Sequence, residues 1–137
     1  MSTSRRLQVV GWSVAAVLVS AWIAVVEVLW LPLRVGAVLV PLSVVGAVVG
    51  NLTIGIGARR LSGSAAPAVA AAVTWLVVVV AAMIPRSEGD LLIVGGGATG
   101  VVNIVYLMVG VVSAAYATGK ALPTRRVRVG SGSGGAR

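Results

Sequence analysis

Glu27 is the one acidic residue set inside a long apolar stretch. A lone carboxylate in that setting can bind a proton, bind a cation or close an ion pair, and an ionisable group within a membrane segment is a functional candidate by default. Arg34, across a short connector, is the obvious ion-pair partner; pairing would lower the desolvation cost of both groups and fasten the hairpin near its rim. Glu27 also lies about four residues from the end of its segment, close enough for its carboxylate to reach headgroup water, so a structural or interfacial role stands beside proton or cation coupling. Asn51 and Asn103 are the uncharged polar residues that could join such a path; interhelical hydrogen bonding is the other use for them. Histidine and cysteine are both absent, which excludes disulfides, thiolate chemistry, histidine-ligated haem and the common zinc sites. Glu88 and Asp90 read as a solvated loop pair rather than a metal site. With no nucleophile and base to pair, the expectation is a protein that is not an enzyme and needs no metal or cofactor.

The elements that must position these residues follow from the charge pattern. No formal charge lies between Arg34 and Arg59, between Arg60 and Arg86, or between Asp90 and Lys120, and Glu27 alone interrupts the stretch from Arg6 to Arg34. Each run reaches the roughly 20 apolar residues that cross a hydrocarbon core as a helix. Of the 137 residues 58% are hydrophobic and 10% charged, too apolar for a soluble domain of this size to bury. The valine content would favour strands in water, but the length of the runs and the missing polar–apolar alternation favour helices over a β-barrel. The predicted fold is all-α: a four-helix transmembrane bundle with helices at about 9–31, 35–57, 65–84 and 91–117. An arm over 1–8 precedes it, and a basic, then Gly/Ser-rich tail over 120–137 follows.

Local signals refine the outline. Arg5-Arg6 ahead of an apolar run and Val19-Ser20-Ala21 imitate a cleavable leader, but the apolar stretch continues to Leu31 and favours a span. Trp12 and Trp30 mark the two interfaces of the first helix, while Trp22 and Trp75 fall in mid-segment and read as packing residues. Pro32 ends the first helix. Pro41 predicts a kink in the second. Ser64 is an expected N-cap with Pro67 in the first turn, and Ser87 with Asp90 has capping-box spacing. The run Gly130 to Gly135 is native or an expression remnant and is assigned no function.

Gly95, Gly97 and Gly100 spell a G-x-G-x-x-G after a strand-like run, but no acidic residue follows Asp90, so the dinucleotide fingerprint lacks its ribose ligand. Helix packing explains the glycines better. Gly96, Gly100, Asn103, Tyr106, Gly110 and Ser113 share one small and polar face of the fourth helix, Gly46 and Gly50 form a G-x-x-x-G in the second, and Ala16, Ser20 and Ala24 repeat the theme in the first. The small faces of the second and fourth helices are expected to look inward, within one bundle or between protomers.

Nine Lys/Arg fall on one side of the predicted spans and two, Arg34 and Arg86, on the other. That bias predicts a multi-pass protein of the cell membrane with both termini cytoplasmic. The net charge of +8 is then a contact to anionic lipid headgroups rather than to nucleic acid.

Arg34-Val35-Gly36 leading to Pro41, then Gly50-Asn51, resembles small four-helix integral membrane proteins of high-GC Gram-positive bacteria. The likeness spans residues 9–119 and implies the four-helix fold without an activity. Glu27 is also similar to the membrane glutamate in the first helix of small multidrug-resistance exporters, although it lies further towards one end. Gly50-Asn51 is similar to the second helix of fluoride channels, whose paired phenylalanines have no counterpart here. The first expectation for function is an accessory or scaffold subunit that binds a membrane-protein partner, or a second copy, through Gly/Ala helix faces. The second is a small proton- or cation-coupled transporter using Glu27, Arg34, Asn51 and Asn103.

Overall fold

The computed structural model describes residues 2–31, 34–35, 38–39, 42–84 and 97–122, with the backbone alone for 34–35, 38–39 and 97–99. Four helices, α1 (Thr3–Trp30), α2 (Leu42–Ser62), α3 (Ala66–Met83) and α4 (Gly97–Ala121), are each long and apolar enough to cross a membrane. They are accompanied by a minimal antiparallel pair, β1 (Arg34–Val35) with β2 (Val38–Leu39), between α1 and α2.

The boundaries correct two sequence expectations. α1 starts at Thr3 rather than near 9, because a hydrogen-bonded helix runs on through Arg5 and Arg6 where the apolar pattern stops. α2 starts at Leu42 rather than 35: of the residues expected to form its first turns, Val35, Val38 and Leu39 are instead extended and paired. Pro41, expected to kink the second helix, lies outside the described residues. α3 agrees with its expected range to within a residue at each end. Pro32, the loop 85–90 with its expected capping box, and Gly96 also lie outside the described residues.

Each helix buries one stripe at three- and four-residue spacing. On α1 it is Ala16, Ser20, Ala24, Glu27 and Val28; on α3 it is Pro67, Ala68, Ala71, Trp75 and Val79. The opposite faces are large and apolar: Leu18, Trp22, Val45, Val77, Ile104 and Val112 are all exposed. Buried Ser20, Glu27, Ser43, Asn51, Asn103 and Ser113 make the interior more polar than the surface, the reverse of a soluble domain and the arrangement expected of helices in lipid.

Contacts fix the directions. Ser20 on α1 donates to the Ala71 carbonyl on α3 at 2.8 Å and Glu27 meets Trp75 further along both, so α1 and α3 run the same way. α2 runs against α1, with Ala16 and Ala58 clustered at one end and Gly46 against Glu27 towards the other. α2 and α4 are joined by Asn51, whose amide donates to the Gly110 carbonyl at 3.2 Å, and by contact of Gly55 with Ala117. The α2–α3 turn is closed by Gly63 at φ +63, the left-handed conformation that glycine adopts freely. Ser64, the expected N-cap of α3, stands one position too early: the N-cap is Ala65, which makes no side-chain cap bond, while Ser64 Oγ accepts the Ala66 N–H at 3.3 Å and Pro67 stands within the first turn.

Candidate functional site: a carboxylate held between four helices

Glu27 is 4% exposed although it lies one turn from the end of α1. Its side chain belongs to the buried stripe and turns into the bundle, which corrects the expectation that it reaches headgroup water. Trp75 Nε1–H donates to its Oε2 at 2.9 Å and Tyr106 Oη–H donates to the same oxygen at 3.2 Å. Trp75 stands at the middle of α3, about 12 Å by helical rise from either end of that helix. The carboxylate is therefore held inside the bundle, beside the residue at the middle of α3.

The two donors are themselves fixed. Trp75 is 1% exposed and Tyr106 0%, and their rings meet at 5.7 Å between centroids with planes tilted by 54°, a favourable aromatic geometry. Gly110, one turn beyond Tyr106 on α4, leaves the space that the Trp75 ring fills; a Cβ there would overlap its benzo edge. Because the Gly110 carbonyl accepts from Asn51, and Ser113 reaches the Gly110 and Ala47 carbonyls at 2.8 and 3.4 Å, a continuous chain of contacts runs from Glu27 on α1 through α3 and α4 to α2.

The other carboxylate oxygen has a different environment. Gly46 and Gly50 bring the α2 backbone against it: a Cβ built at either position would stand 3.4 or 3.2 Å from Oε1. Among the described residues Oε1 has no hydrogen-bond partner, and neither has the buried hydroxyl of Ser43. Both residues line a groove of about 500 Å³ between α1 and α2, whose other walls include Trp22, Trp30, Leu42, Val45 and Val49. Moving a charge to the centre of a bilayer costs about 3 kcal/mol on insertion scales, and a hydrogen bond to a charged group returns on the order of 1.5–3 kcal/mol. Two donors on Oε2 can offset that cost, while Oε1 stays buried against the α2 backbone without a donor; a proton or a cation would complete it.

Of the residues expected to form a transport path, Glu27, Asn51 and Asn103 are all buried, but they do not converge on one cavity. Only Glu27 of the three lines the α1–α2 groove; Asn51 is turned to α4, and Asn103 sits one turn before Tyr106 on the inward stripe of α4. The side chain of Arg34 lies outside the described residues. Gly46, Gly50, Gly100 and Gly110 all face the interior, with Gly46 and Gly50 against Glu27 and Gly110 against Trp75. The sequence reading missed Trp75 and Tyr106 as partners of Glu27, since contacts across 48 and 79 residues leave no local spacing. Trp22, expected to pack, is instead 72% exposed at the mouth of the groove. What this site does has to follow from its own geometry, because no protein-family model matches the chain and no curated protein or solved structure is significantly similar to it.

Proposed function

We propose that this is a multi-pass protein of the cell membrane, with both termini in the cytoplasm, that exchanges protons for monovalent cations at Glu27 and catalyses no covalent chemistry. The observation that carries the proposal is the asymmetric carboxylate: Oε2 is occupied by two donors from α3 and α4, while Oε1, buried against Gly46 and Gly50 beside the α1–α2 groove, has no partner among the described residues. A carboxylate that served only to fasten helices would be expected to use both oxygens. Here the fastening is done at one oxygen, and the other can take a proton or a cation in turn. The rigid frame of Trp75 and Tyr106 would keep Oε2 in place in both states.

The test is exchange across a membrane. Purified protein is reconstituted into liposomes with an acidic lumen and a trapped pH dye, and Na⁺, K⁺ or tetramethylammonium is added outside. Wild type is expected to alkalinise the lumen at least tenfold faster than protein-free liposomes with at least one of the three, and Glu27→Gln to fall to the protein-free rate. Equal rates for wild type and Glu27→Gln would remove the proposal.

A second reading, an accessory subunit, is favoured by one observation. The α1–α2 seam continues past Thr53 as a shallower groove of about 200 Å³ bordered by Trp12, Val19, Gly57 and Leu61. Together the two grooves extend along most of α2, about 30 Å by helical rise, the length of a spanning helix. The seat would then be this seam rather than the glycine faces, since Gly46, Gly50, Gly55 and Gly110 are covered by Glu27, Ala117 and Trp75. Native mass spectrometry of gently extracted protein from its own membrane decides it: a stoichiometric larger partner favours this reading, and the chain alone or as a homo-oligomer counts against it.

A further inference from the structure

We propose that the seam between α2 and α4 binds one anionic phospholipid, with its phosphate between Arg59 and Lys120 and an acyl chain along Val48, Leu52, Val109 and Val112. The inference goes beyond exchange at Glu27 and rests only on the reading of the chain as a membrane protein. Three features of the seam select this ligand.

The first is a pair of cations at one end. α2 and α4 run side by side in the same direction, since Asn51 meets Gly110 and, one turn further along α2, Gly55 meets Ala117. A Cβ at Gly55 would stand 2.7 Å from that of Ala117, so the two helices approach closely there. Arg59 lies one turn past Gly55 and Lys120 about one turn past Ala117, which places a cation on each helix at the same end of the seam. Arg59 Nη1 donates to the Gly63 carbonyl at 2.8 Å, and the guanidinium keeps its other N–H donors and its charge. The Lys120 ammonium stands 5.6 Å from the centre of the Tyr116 ring, which holds it beside the groove that Tyr116 borders. Glu27 is the one acid among the described residues, and it is engaged by Trp75 and Tyr106. No described carboxylate is left for Arg59 or Lys120. A phosphate diester supplies the anion, and its oxygens accept from guanidinium and ammonium alike. Basic sites between helices at a membrane surface are suited to such headgroups.

The second is shape. A groove of about 260 Å³ runs along the seam, lined by Val48, Leu52, Val109, Val112, Ser113 and Tyr116. From Val109 to Lys120, α4 rises about 16 Å, close to half of the roughly 30 Å hydrocarbon core. That is the depth of one leaflet. It suits an acyl chain whose headgroup stands at the surface, whereas a spanning helix needs a seat along the full thickness.

The third is access with selectivity. Val112 and Tyr116 are 64% and 55% exposed along the rim, so the groove is open on the side where lipid would stand. The larger α3–α4 groove, about 420 Å³, provides the contrast. It ends at Thr118, Gly119 and Leu122, with no charged side chain among the described residues of its wall. An acyl chain finds an apolar lining in both grooves; the α2–α4 seam alone of the two adds a hold on the phosphate.

The experiment uses full-length protein in mild detergent, titrated with dioleoylphosphatidylglycerol or dioleoylphosphatidylcholine, with bound lipids counted by native mass spectrometry. One phosphatidylglycerol is expected to bind at least tenfold more tightly than phosphatidylcholine. Lys120→Gln and Val112→Trp should each weaken it at least fivefold, the first by removing a cation and the second by covering the groove from an exposed position. Lys120→Arg should retain binding. Arg6→Gln, which removes an equal charge from the start of α1, should leave it within twofold. Equal binding of the two lipids would overturn the inference. So would equal losses in Arg6→Gln and Lys120→Gln, which would make net charge rather than this seam the attractant. Displacement of the bound lipid by soluble glycerophosphoglycerol at equal concentration would overturn it too and assign the cations to a free phosphate ester. A disulfide-linked dimer formed quantitatively by the single cysteine of Val112→Cys in native membranes would give the groove to a second copy. None of these outcomes bears on exchange at Glu27, which the liposome assay reads separately.

Discussion

Glu27 has two jobs that substitution can separate, because its two oxygens face different surroundings. Oε2 satisfies the buried N–H of Trp75 and hydroxyl of Tyr106. Leaving a buried donor without an acceptor costs about 1–3 kcal/mol. Glu27→Ala removes the acceptor for both and opens a void beside Gly46 and Gly50, so a loss of roughly 2–4 kcal/mol is expected on the same scale. Glu27→Gln keeps one carbonyl oxygen for the two donors and should cost under about 1 kcal/mol. Titration of each variant from mild micelles into dodecyl sulfate, followed by circular dichroism, measures the difference. Near-equal losses for the two variants would mean that Trp75 and Tyr106 do not depend on the carboxylate. The identity of Glu27 as the residue to watch was legible in the sequence, since a single acid inside an apolar run stands out without any structure. Its partners were not. An indole at 75 and a phenol at 106 look like packing groups until the fold brings α3 and α4 beside α1.

At the scale of the helices, the sequence and the fold agree where lipid exposure and hydrogen bonding set the same limits, and part where they do not. α3 begins after its N-cap Ala65, with Pro67 in the first turn, and runs apolar to Met83, so hydropathy and helix coincide. α1 outruns its apolar segment by about six residues because arginine is a good helix former even where it cannot enter hydrocarbon. α2 falls short at its start, where 34–35 and 38–39 are extended despite a continuous apolar run, and gains five residues at its end through Arg59 and Arg60. Hydropathy marks what can sit in lipid and carries little about where the backbone turns. The small faces show what helix approach demands: Gly110 admits the Trp75 ring and Gly55 the Ala117 methyl, which would stand 2.7 Å from a Cβ at 55. Gly110→Ala is therefore expected to destabilise the bundle by about 1–3 kcal/mol, the usual range for overpacking. It should also displace Trp75 enough to shift its fluorescence. Gly119→Ala, at a helical position with nothing within 4 Å, serves as the control and should be neutral or slightly stabilising. Equal behaviour of the two variants would mean that α3 and α4 are not in close contact at Gly110.

For the whole molecule, the exchange reading depends on which side each end of the bundle faces. The polar interior, apolar exterior and four sufficiently long helices make a membrane the natural solvent. The proposed orientation rests on the flanking charges: four membrane crossings would put Arg5 and Arg6, Arg59 and Arg60, and the five basic residues from Lys120 onward on one side, with Arg34 and Arg86 on the other. On that proposal the α2–α3 turn at Gly63 would lie inside, and the groove end near Trp30 and Leu42 would lie towards the outer face. The natural absence of cysteine makes the test clean, since each introduced thiol is the only one in the chain. Cysteines at Ser2, Gly63 and Ser133 are expected to react with a membrane-impermeant maleimide only after the cells are opened. A cysteine at Ser87, between Arg86 and Glu88, is expected to react in intact cells. Reversal of that pattern would place the mouth of the groove at the cytoplasmic face and invert the direction in which a pH gradient drives the cation. Labelling of both sets in intact cells would mean dual insertion, so exchange would run both ways in one membrane and the charge bias would have no say in its direction.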